Sequence, residues 1–191
     1  MSKIKWKGGA LLSPVPPAMV SCSDGEHDNI ITIAWTGIVN TIPPKTYISV
    51  RPSRHSYDMI KQSGVFAINL TTKALVRSED WCGVYTGAKV DKFARCKLTK
   101  EPASEISCPL IAESPLSLEC RVTDIIPLGS HHMFLADIVA VDVDESLIDE
   151  HGKLRLDRAG IVAYAHGDYF ELGKCLGNFG FSVKKRDKRR K

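Results

Sequence analysis

Short strand-forming runs, separated by tight turns, dominate the first third of the chain. Between residues 15 and 50, β-branched and aromatic residues are interrupted by segments containing Pro, Gly, Asp or Asn. This pattern predicts strands over residues 18–22, 29–39 and 46–51, with turns at 23–28 and 41–45. Neighbouring strands joined by such short turns run antiparallel, because a parallel pair needs a crossover of a dozen or more residues. The chain therefore begins as an antiparallel sheet.

The remainder of the chain adds a few helices and further strands. A helix capped by Ser53 or Ser56 is predicted to end at Gly64, a second spans 75–84, and 91–95 forms one more short turn. Further strands are predicted over residues 65–70, 116–126, 132–144, 161–165 and 169–172. About seven short strands without regular βαβ alternation predict a mainly β fold, built as a closed or partly closed antiparallel barrel.

Length and charge distribution indicate one domain followed by a basic tail. The chain has 191 residues, which suffice for one hydrophobic core, and we predict a single domain over residues 1–181. Seven of the last eight residues are Lys or Arg, and the rest of the chain carries 19 basic and 21 acidic residues. The body is thus slightly acidic, which argues against nucleic acid as its partner. Residues 182–191 are predicted to form a disordered tail, limited to non-specific attraction to nucleic acid or an acidic protein.

Several common catalytic and targeting signals are missing from the sequence. The six cysteines lie far apart without a C-x-x-C pair, so we expect free thiols in a reducing cytoplasm. No G-x-G-x-x-G follows a strand, and neither H-E-x-x-H nor G-x-S-x-G occurs. The adjacent His131 and His132 point to opposite faces of a strand, so no metal site is predicted. Without a signal peptide or a long apolar run, the chain is predicted to be cytoplasmic and to have no membrane partner.

One polar cluster at a strand-to-helix junction indicates a phosphate site. Residues 51–56, Arg-Pro-Ser-Arg-His-Ser, place two guanidinium groups, an imidazole and two hydroxyls within six positions. The N–H groups at a helix N-terminus attract anions, and arginine clamps a phosphate with two hydrogen bonds. The alternative interpretation is a capped helix whose arginines are solvated.

The predicted strand over residues 29–39 has one face suited to a flat ligand. Thr32, Ala34 and Thr36 alternate with Ile33 and Trp35, so two hydroxyls flank a small side chain on one face. Such a face lets a flat molecule lie close to backbone donors. Alternatively, Trp35 is simply a core residue and explains the pattern alone.

An ordered series of motifs that includes these residues resembles the flavin reductase-like family, with flavoredoxin as the closest branch. The series extends from about residue 10 to residue 180. Its motifs are Pro-Ala-Met-Val-Ser (17–21), Asp-Gly (24–25), Asn-Ile-Ile-Thr-Ile-Ala-Trp-Thr (29–36), Pro-Pro (43–44), Val-Arg-Pro-Ser-Arg-His-Ser (50–56), Phe-Ala-Ile-Asn (66–69), Asp-Lys-Phe (91–93), Leu-Glu-Cys-Arg-Val (118–122) and Gly-Ser-His-His-Met-Phe-Leu-Ala-Asp-Ile (129–138).

The resemblance implies a fold, an assembly and a cofactor. The fold is an antiparallel Greek-key FMN-binding split β-barrel. It works as a homodimer that holds FMN without a covalent bond near the subunit interface. The residues that match the family's flavin contacts lie along the predicted second strand, and they are Asn29, Thr32, Ala34, Trp35 and Thr36.

The resemblance also assigns the two ends of the cofactor site. The histidine on the nicotinamide side corresponds to His131 or to His132. The segment 166–170 is interpreted as a hairpin turn or, in the resembling branch, as a stretch near the flavin. The residues that match the family's phosphate contacts are Arg51, Arg54, His55, Ser56 and Lys92.

The activity that the resemblance implies is that of an FMN-dependent oxidoreductase. It takes a hydride from NAD(P)H and passes electrons to a flavin, to iron or to a protein acceptor. The flavin itself carries this chemistry at N5, so no catalytic side chain is expected. Two alternatives stay open, a flavoredoxin-type electron carrier reduced by a protein partner and an FMN-binding sensor without turnover.

Overall fold

Eleven strands and three α-helices make up the computed structural model, which describes residues 1–183. From residue 184 onward, the tail predicted over 182–191 lies outside the described residues. No helix within residues 1–183 combines the length and apolar content that crossing a membrane requires. The strands are β1 (Ala18–Ser23), β2 (Asp28–Ile33), β3 (Thr36–Thr41), β4 (Pro44–Val50), β5 (Val65–Leu70), β6 (Lys100–Glu101), β7 (Leu110–Ile111), β8 (Leu116–Pro127), β9 (His132–Val143), β10 (Val162–Ala165) and β11 (Asp168–Glu171). The helices are α1 (His55–Ser63), α2 (Val76–Val84) and α3 (Lys92–Cys96).

Seven of these strands form one antiparallel sheet. Their order is β2-β1-β5-β8-β9-β4-β3, and the long β8 and β9 pair from Leu116↔Val143 to Pro127↔His132. Two smaller sheets, β10-β11 and β6-β7, complete the part of the chain that the structure describes. The prediction of a mainly β fold with a large antiparallel sheet is confirmed.

The seven-stranded sheet curls until its ends approach each other. β2 is the first strand in the sheet order and β4 is the sixth, yet Ile31 of β2 and Ile48 of β4 belong to one buried core. In addition, the Ser49 backbone N–H donates to the Trp35 carbonyl at 2.9 Å, which joins β4 to the segment after β2. The sheet therefore closes on itself between β2 and β4 as a partly closed antiparallel barrel, and β3 remains at its edge.

Two apolar cores lie on opposite faces of the barrel wall. Tyr57 and Ile60 of α1 pack into the barrel core with Phe66 and Phe134, so α1 covers one end of the barrel. The second core is formed where α2 and α3 pack on the outer face of β1 and β2, around Met19, Ile30, Leu75, Cys82, Phe93 and Ile111. Alternate side chains of one strand therefore serve both cores.

Helix α1 begins differently from the prediction and ends as predicted. It ends at Gly64, whose φ of 71° is in the left-handed region that glycine adopts without strain. Its N-cap is Arg54, and no side chain caps the helix, so the prediction of a cap by Ser53 or Ser56 is wrong. Ser56 lies inside the first turn, where its hydroxyl accepts a hydrogen bond from the Asn29 amide at 2.8 Å.

The single strand predicted over residues 29–39 is divided in the structure. β2 ends at Ile33 and β3 begins at Thr36. Ala34 and Trp35 link the strands at the place where Ser49 binds the Trp35 carbonyl and the barrel closes. The β-branched pattern continues across the bend, so it predicted a single strand. The bend itself is fixed by a tertiary contact that the local pattern does not report.

Candidate functional site

A cavity of about 290 Å³ opens beside the bend between β2 and β3. Its wall combines backbone and side chains from six separate parts of the chain, including the segment after β4, helix α2 and the β10-β11 hairpin. The residues that line it are Pro17, Thr32, Ile33, Ala34, Trp35, Ser49, Val50, Arg51, Arg54, Gly83, His131, Tyr164 and Tyr169.

A second, smaller cavity of about 80 Å³ adjoins the first. The two cavities share Arg54 and Gly83 in their walls. Together they form one site with a wide end and a narrow end. The narrow end is lined by Asn29, Ile31, Ser53, Arg54, His55, Ser56, Cys82, Gly83, Tyr85, Thr86, Gly87 and Lys92.

The narrow end has the properties of an anion site. The first turn of α1 lines it without a capping side chain, so backbone N–H groups and the positive end of the helix dipole are available there. Within residues 1–183, no carboxylate lies within ion-pair distance of Arg51 or Arg54. Of the predicted phosphate contacts, Arg54, His55 and Ser56 line this end, whereas Arg51 lines the wide end.

Lys92 contributes a buried ammonium group to the narrow end. Its Nζ donates to the carbonyls of Ile30 at 2.6 Å and of Cys82 at 2.7 Å. Burial lowers the pKa of Lys92, and the nearby Arg54 lowers it further. An ammonium has three N–H donors, so one remains beyond the two carbonyl bonds. Lys92 therefore holds α3 against β2 and keeps one donor for a ligand.

The predicted flavin contacts on β2 and after it are distributed unevenly. Thr32, Ala34 and Trp35 line the wide end, and Asn29 lines the narrow end. Thr36 lines neither cavity, and its hydroxyl donates to the Tyr47 carbonyl at 2.6 Å across the β3-β4 pair. The division of the strand after Ile33 separates Thr36 from Thr32, because the bend interrupts the alternation that would place them on one face.

The two adjacent histidines occupy different environments. His131 lines the wide end, where burial and the charges of Arg51 and Arg54 lower its pKa. Its Nδ1 lies 2.9 Å from the Ser130 hydroxyl. His132 Nδ1 instead lies 2.7 Å from the Tyr57 hydroxyl, beside the barrel core. Of the pair left open by the sequence, His131 is the one that reaches the cavity.

The C-terminal hairpin supplies two aromatic walls that the motifs did not single out. Tyr164 and Tyr169 pack together with ring centroids 5.3 Å apart and line the wide end. Val15 pairs with Tyr164 through two backbone hydrogen bonds and anchors the hairpin to the N-terminal segment. The 166–170 segment, interpreted as a turn or as a stretch near the flavin, therefore includes one cavity-lining residue, Tyr169.

A buried carboxyl group lies next to the site. Glu79 of α2 is fully buried, and among residues 1–183 neither of its carboxyl oxygens has a hydrogen-bond partner. Its backbone carbonyl accepts a hydrogen bond from the cavity-lining Thr32. Burial raises the pKa of Glu79 to about 8, and the charge of Asp80 adds to this shift. The side chain is therefore mainly protonated at neutral pH.

The site as a whole suits a ligand with a flat ring at one end and a phosphate at the other. The wide end offers backbone from residues 32–35 and the faces of three aromatic residues. The narrow end offers a helix N-terminus, Arg54 and Lys92. Within residues 1–183, no serine, threonine or cysteine that lines either cavity is hydrogen-bonded to a histidine or carboxylate side chain, so the chemistry of the site would have to come from the ligand.

Comparisons with known proteins identify the family and the fold of this chain. The sequence profile of the family described as "Flavin reductase like domain" matches residues 11–173. The solved flavoredoxin of Desulfovibrio vulgaris (Miyazaki F) is similar with a TM-score of 0.89 and 30% identity, covering 96% of this chain and 100% of that one. Flavoredoxin from Methanosarcina acetivorans is similar with a TM-score of 0.85 and 25% identity over the same shares. A curated NADPH-flavin oxidoreductase of Streptomyces viridifaciens is 26% identical over 128 residues, which are 66% of this chain and 65% of that protein.

Proposed function

The chain belongs to the flavin reductase-like family, and we propose that it is an FMN-dependent oxidoreductase that passes electrons from NAD(P)H to a flavin, to iron or to a protein acceptor. The observation that carries this proposal is the joined pair of cavities, which share Arg54 and Gly83 and offer a ring site at one end and an anion site at the other. FMN as the ligand is supported by similar structures that are described as FMN-binding.

The narrow end fits the phosphate of FMN. A phosphate monoester carries nearly two negative charges at neutral pH. The N-terminus of α1, the Arg54 guanidinium and the third N–H of Lys92 are donors of matching charge at this end. The hydrogen bond from the Asn29 amide holds the Ser56 hydroxyl in position as a further contact.

The wide end fits the isoalloxazine ring. Ala34 and Trp35 bring backbone to the cavity wall, and Tyr164 and Tyr169 close it on the C-terminal side. When bound, FMN supplies an acceptor for hydride at N5 and a donor for the onward transfer of electrons. The role of these side chains is to orient the ring and exclude water.

His131 is the proposed contact on the nicotinamide side. Its lowered pKa keeps the imidazole uncharged at neutral pH, so it can orient a ligand without adding a positive charge beside Arg51 and Arg54. Because the Ser130 hydroxyl lies beside Nδ1, Nε2 is the ring nitrogen that remains to contact a ligand.

A second candidate function is that of an electron carrier. The similarity to two flavoredoxin structures over 96% of this chain favours it. In this function the bound FMN receives electrons from a reduced protein and not from a pyridine nucleotide. The protein surface around Trp35, which is 38% exposed, would then be the place of contact.

Anaerobic titration of the FMN-loaded protein separates these functions. We expect the flavin absorbance to bleach on addition of NADH or NADPH. Bleaching by reduced ferredoxin or dithionite but by neither nucleotide would favour the carrier. An FMN-loaded protein that shows no turnover with any donor and acceptor would indicate a sensor, and a protein that stays colourless with added FMN would contradict all three functions.

We further propose that the chain forms a homodimer through the outer face of β3. This strand is the last in the sheet; its Ile38 and Val39 are exposed to 62% and 49%, and Ile42, directly after it, is exposed to 90%. Exposed apolar side chains on an edge strand favour association with another chain. A second copy placed there would lie next to the opening of the wide cavity at Trp35.

The dimer is tested by the Ile38→Asp variant. We expect the wild-type chain to sediment at twice the chain mass and Ile38→Asp to sediment as a monomer, because a buried unpaired carboxylate is costly. Ile148→Asp changes another exposed isoleucine, away from β3, and should leave the dimer intact. A monomeric wild type, or an Ile38→Asp variant that remains dimeric, would contradict the proposed interface.

A further inference from the structure

Two cysteine thiols touch each other behind the narrow end of the site. The sulfur atoms of Cys82 and Cys96 lie 3.8 Å apart, although both residues are unbonded thiols. Cys82 is buried in α2 and lines the narrow cavity, while Cys96 is the half-buried last residue of α3. A spacing of 14 positions in the sequence gave no C-x-x-C signal, so only the packing of α2 against α3 reveals this pair.

The segment between the two cysteines forms one wall of the narrow cavity. It spans residues 83–95, of which residues 85–91 connect α2 to α3 and belong to no helix or strand. Five cavity-lining residues lie in this segment, namely Gly83, Tyr85, Thr86, Gly87 and Lys92. A bond between the two sulfurs would therefore close a covalent ring around the loop that covers the anion site.

We propose that Cys82 and Cys96 are a redox-active pair, that hydrogen peroxide converts them to a disulfide, and that this bond slows the release of FMN. The cross-link itself depends only on the two thiols. The effect on release rests on the proposed function.

The oxidation consumes one peroxide and releases two waters. The more exposed Cys96 thiolate attacks one peroxide oxygen, the O–O bond breaks, and Cys96 becomes a sulfenic acid while hydroxide leaves. The Cys82 sulfur then displaces the hydroxyl group from the Cys96 sulfenic acid, so that the S–S bond forms and both thiol protons end in water. Burial raises the pKa of Cys82 to about 12, so the second step should accelerate as the pH rises.

The disulfide should act on the cofactor by restraining the loop. Tyr85, Thr86 and Gly87 line the narrow end together with Ser53 and Arg54, so a restraint on this loop acts where the phosphate would sit. A disulfide that joins the two ends of a loop removes many of the extended conformations of that loop. The number of conformations lost increases only slowly with the length of the loop. The loop in the oxidised protein therefore opens less often.

The cross-link is tested by peptide mapping of the FMN-loaded protein after treatment with hydrogen peroxide. We expect a peptide pair joined through Cys82 and Cys96, with the loss of two hydrogen atoms, in the wild type and in Cys175→Ser. Cys96→Ser should show no such pair. Oxidation of Cys96 to a sulfinic acid without the pair, or a pair that joins Cys175 to either thiol, would overturn the proposal.

The effect on the cofactor is tested by the rate at which FMN fluorescence appears after rapid dilution. Oxidised wild-type protein should release FMN roughly tenfold more slowly than reduced protein, and dithiothreitol should restore the rate. Cys96→Ser, which lines neither cavity, should release FMN at the reduced rate before and after peroxide. A cross-linked protein with an unchanged rate would refute the control of release, whereas a chain without bound FMN would refute the proposed function and leave the mapping result standing.

Discussion

Replacing Arg54 by alanine is expected to weaken FMN binding roughly 30- to 150-fold while changing riboflavin binding by less than about threefold. Arg54 is the N-cap residue of α1 and lines both cavities, so its guanidinium lies between the ring end and the anion end. A charge-assisted hydrogen bond to phosphate contributes about 2 to 3 kcal/mol. Riboflavin has the same ring without the phosphate. Titration of each ligand, followed by quenching of its fluorescence, measures the difference.

The matched control for this experiment is Arg77→Ala. Arg77 is exposed on α2 and lines neither cavity, so its loss changes the net charge equally. Both ligands should bind to this variant as they bind to the wild type. If Arg54→Ala weakened FMN and riboflavin by the same factor, the narrow end would not be the phosphate site. Raised salt should weaken FMN binding to the wild type more than to Arg54→Ala.

Replacing Glu79 by glutamine is expected to stabilise the protein at pH 8 by roughly 3 to 4 kcal/mol more than at pH 5. Burial raises the pKa of Glu79 to about 8 from its ordinary value of 4.5. The folded state therefore retains a proton that the unfolded state has lost, and wild-type stability falls as the pH rises from about 4.5 to about 8. Glutamine cannot ionise and lacks this fall. Near pH 5 the protonated carboxyl and the amide are of similar polarity, so the two proteins should be nearly equal there.

Thermal unfolding of both proteins between pH 5 and pH 8 measures this difference. Since each kcal/mol shifts Tm by roughly 2–4 °C in a chain of this size, the Tm curves should diverge by roughly 10 °C at pH 8. Glu26→Gln provides the control, because Glu26 is exposed and its loss should leave the curves parallel. Parallel curves for Glu79→Gln as well would mean that the Glu79 carboxyl is ionised in the folded protein.

The parts of the fold that follow from local sequence were predicted well. The hydrophobic run of β8 and β9 and the turn near Gly129 predicted the longest pair of strands, which the structure confirms within two residues. The end of α1 at Gly64 was also predicted, because a left-handed residue after a helix is a local requirement. Local sequence patterns are sufficient to predict a segment whose conformation is determined by residues adjacent to it in the sequence.

The features that were missed depend on contacts between distant residues. The bend at Ala34 and Trp35 is fixed by a hydrogen bond to Ser49, and Thr36 leaves the site because of that bend. Glu79 is polar in sequence and fully buried in the structure, since β2 packs against its face of α2. Hydrophobic periodicity cannot report such contacts, because it depends only on residues that are close in the chain.

The sequence predicted the charged and polar residues of the candidate site better than the full set of residues that line it. The Arg51–Ser56 cluster indicated an anion site, and of the predicted phosphate contacts Arg54, His55, Ser56 and Lys92 line the narrow end, whereas Arg51 lines the wide end. Gly83 carries no chemistry of its own, and it was not singled out. Gly83 lines both cavities. An added Cβ there would stand only 3.2 Å from Thr32, which shows that α2 approaches β2 closely at this point.

The residues that line the wide cavity include Pro17 and Tyr169, which lie near opposite ends of the domain in the sequence. The order of protein synthesis gives this arrangement a consequence. A ribosome must release Tyr169 from its exit tunnel before the β10-β11 hairpin can pair with Val15, so the ring site has no closed wall on an incomplete chain. The seven strands of the barrel can assemble earlier, since the last of them, β9, ends at Val143. Under the proposed function, binding of the FMN ring would therefore follow the folding of the barrel strands that support the site.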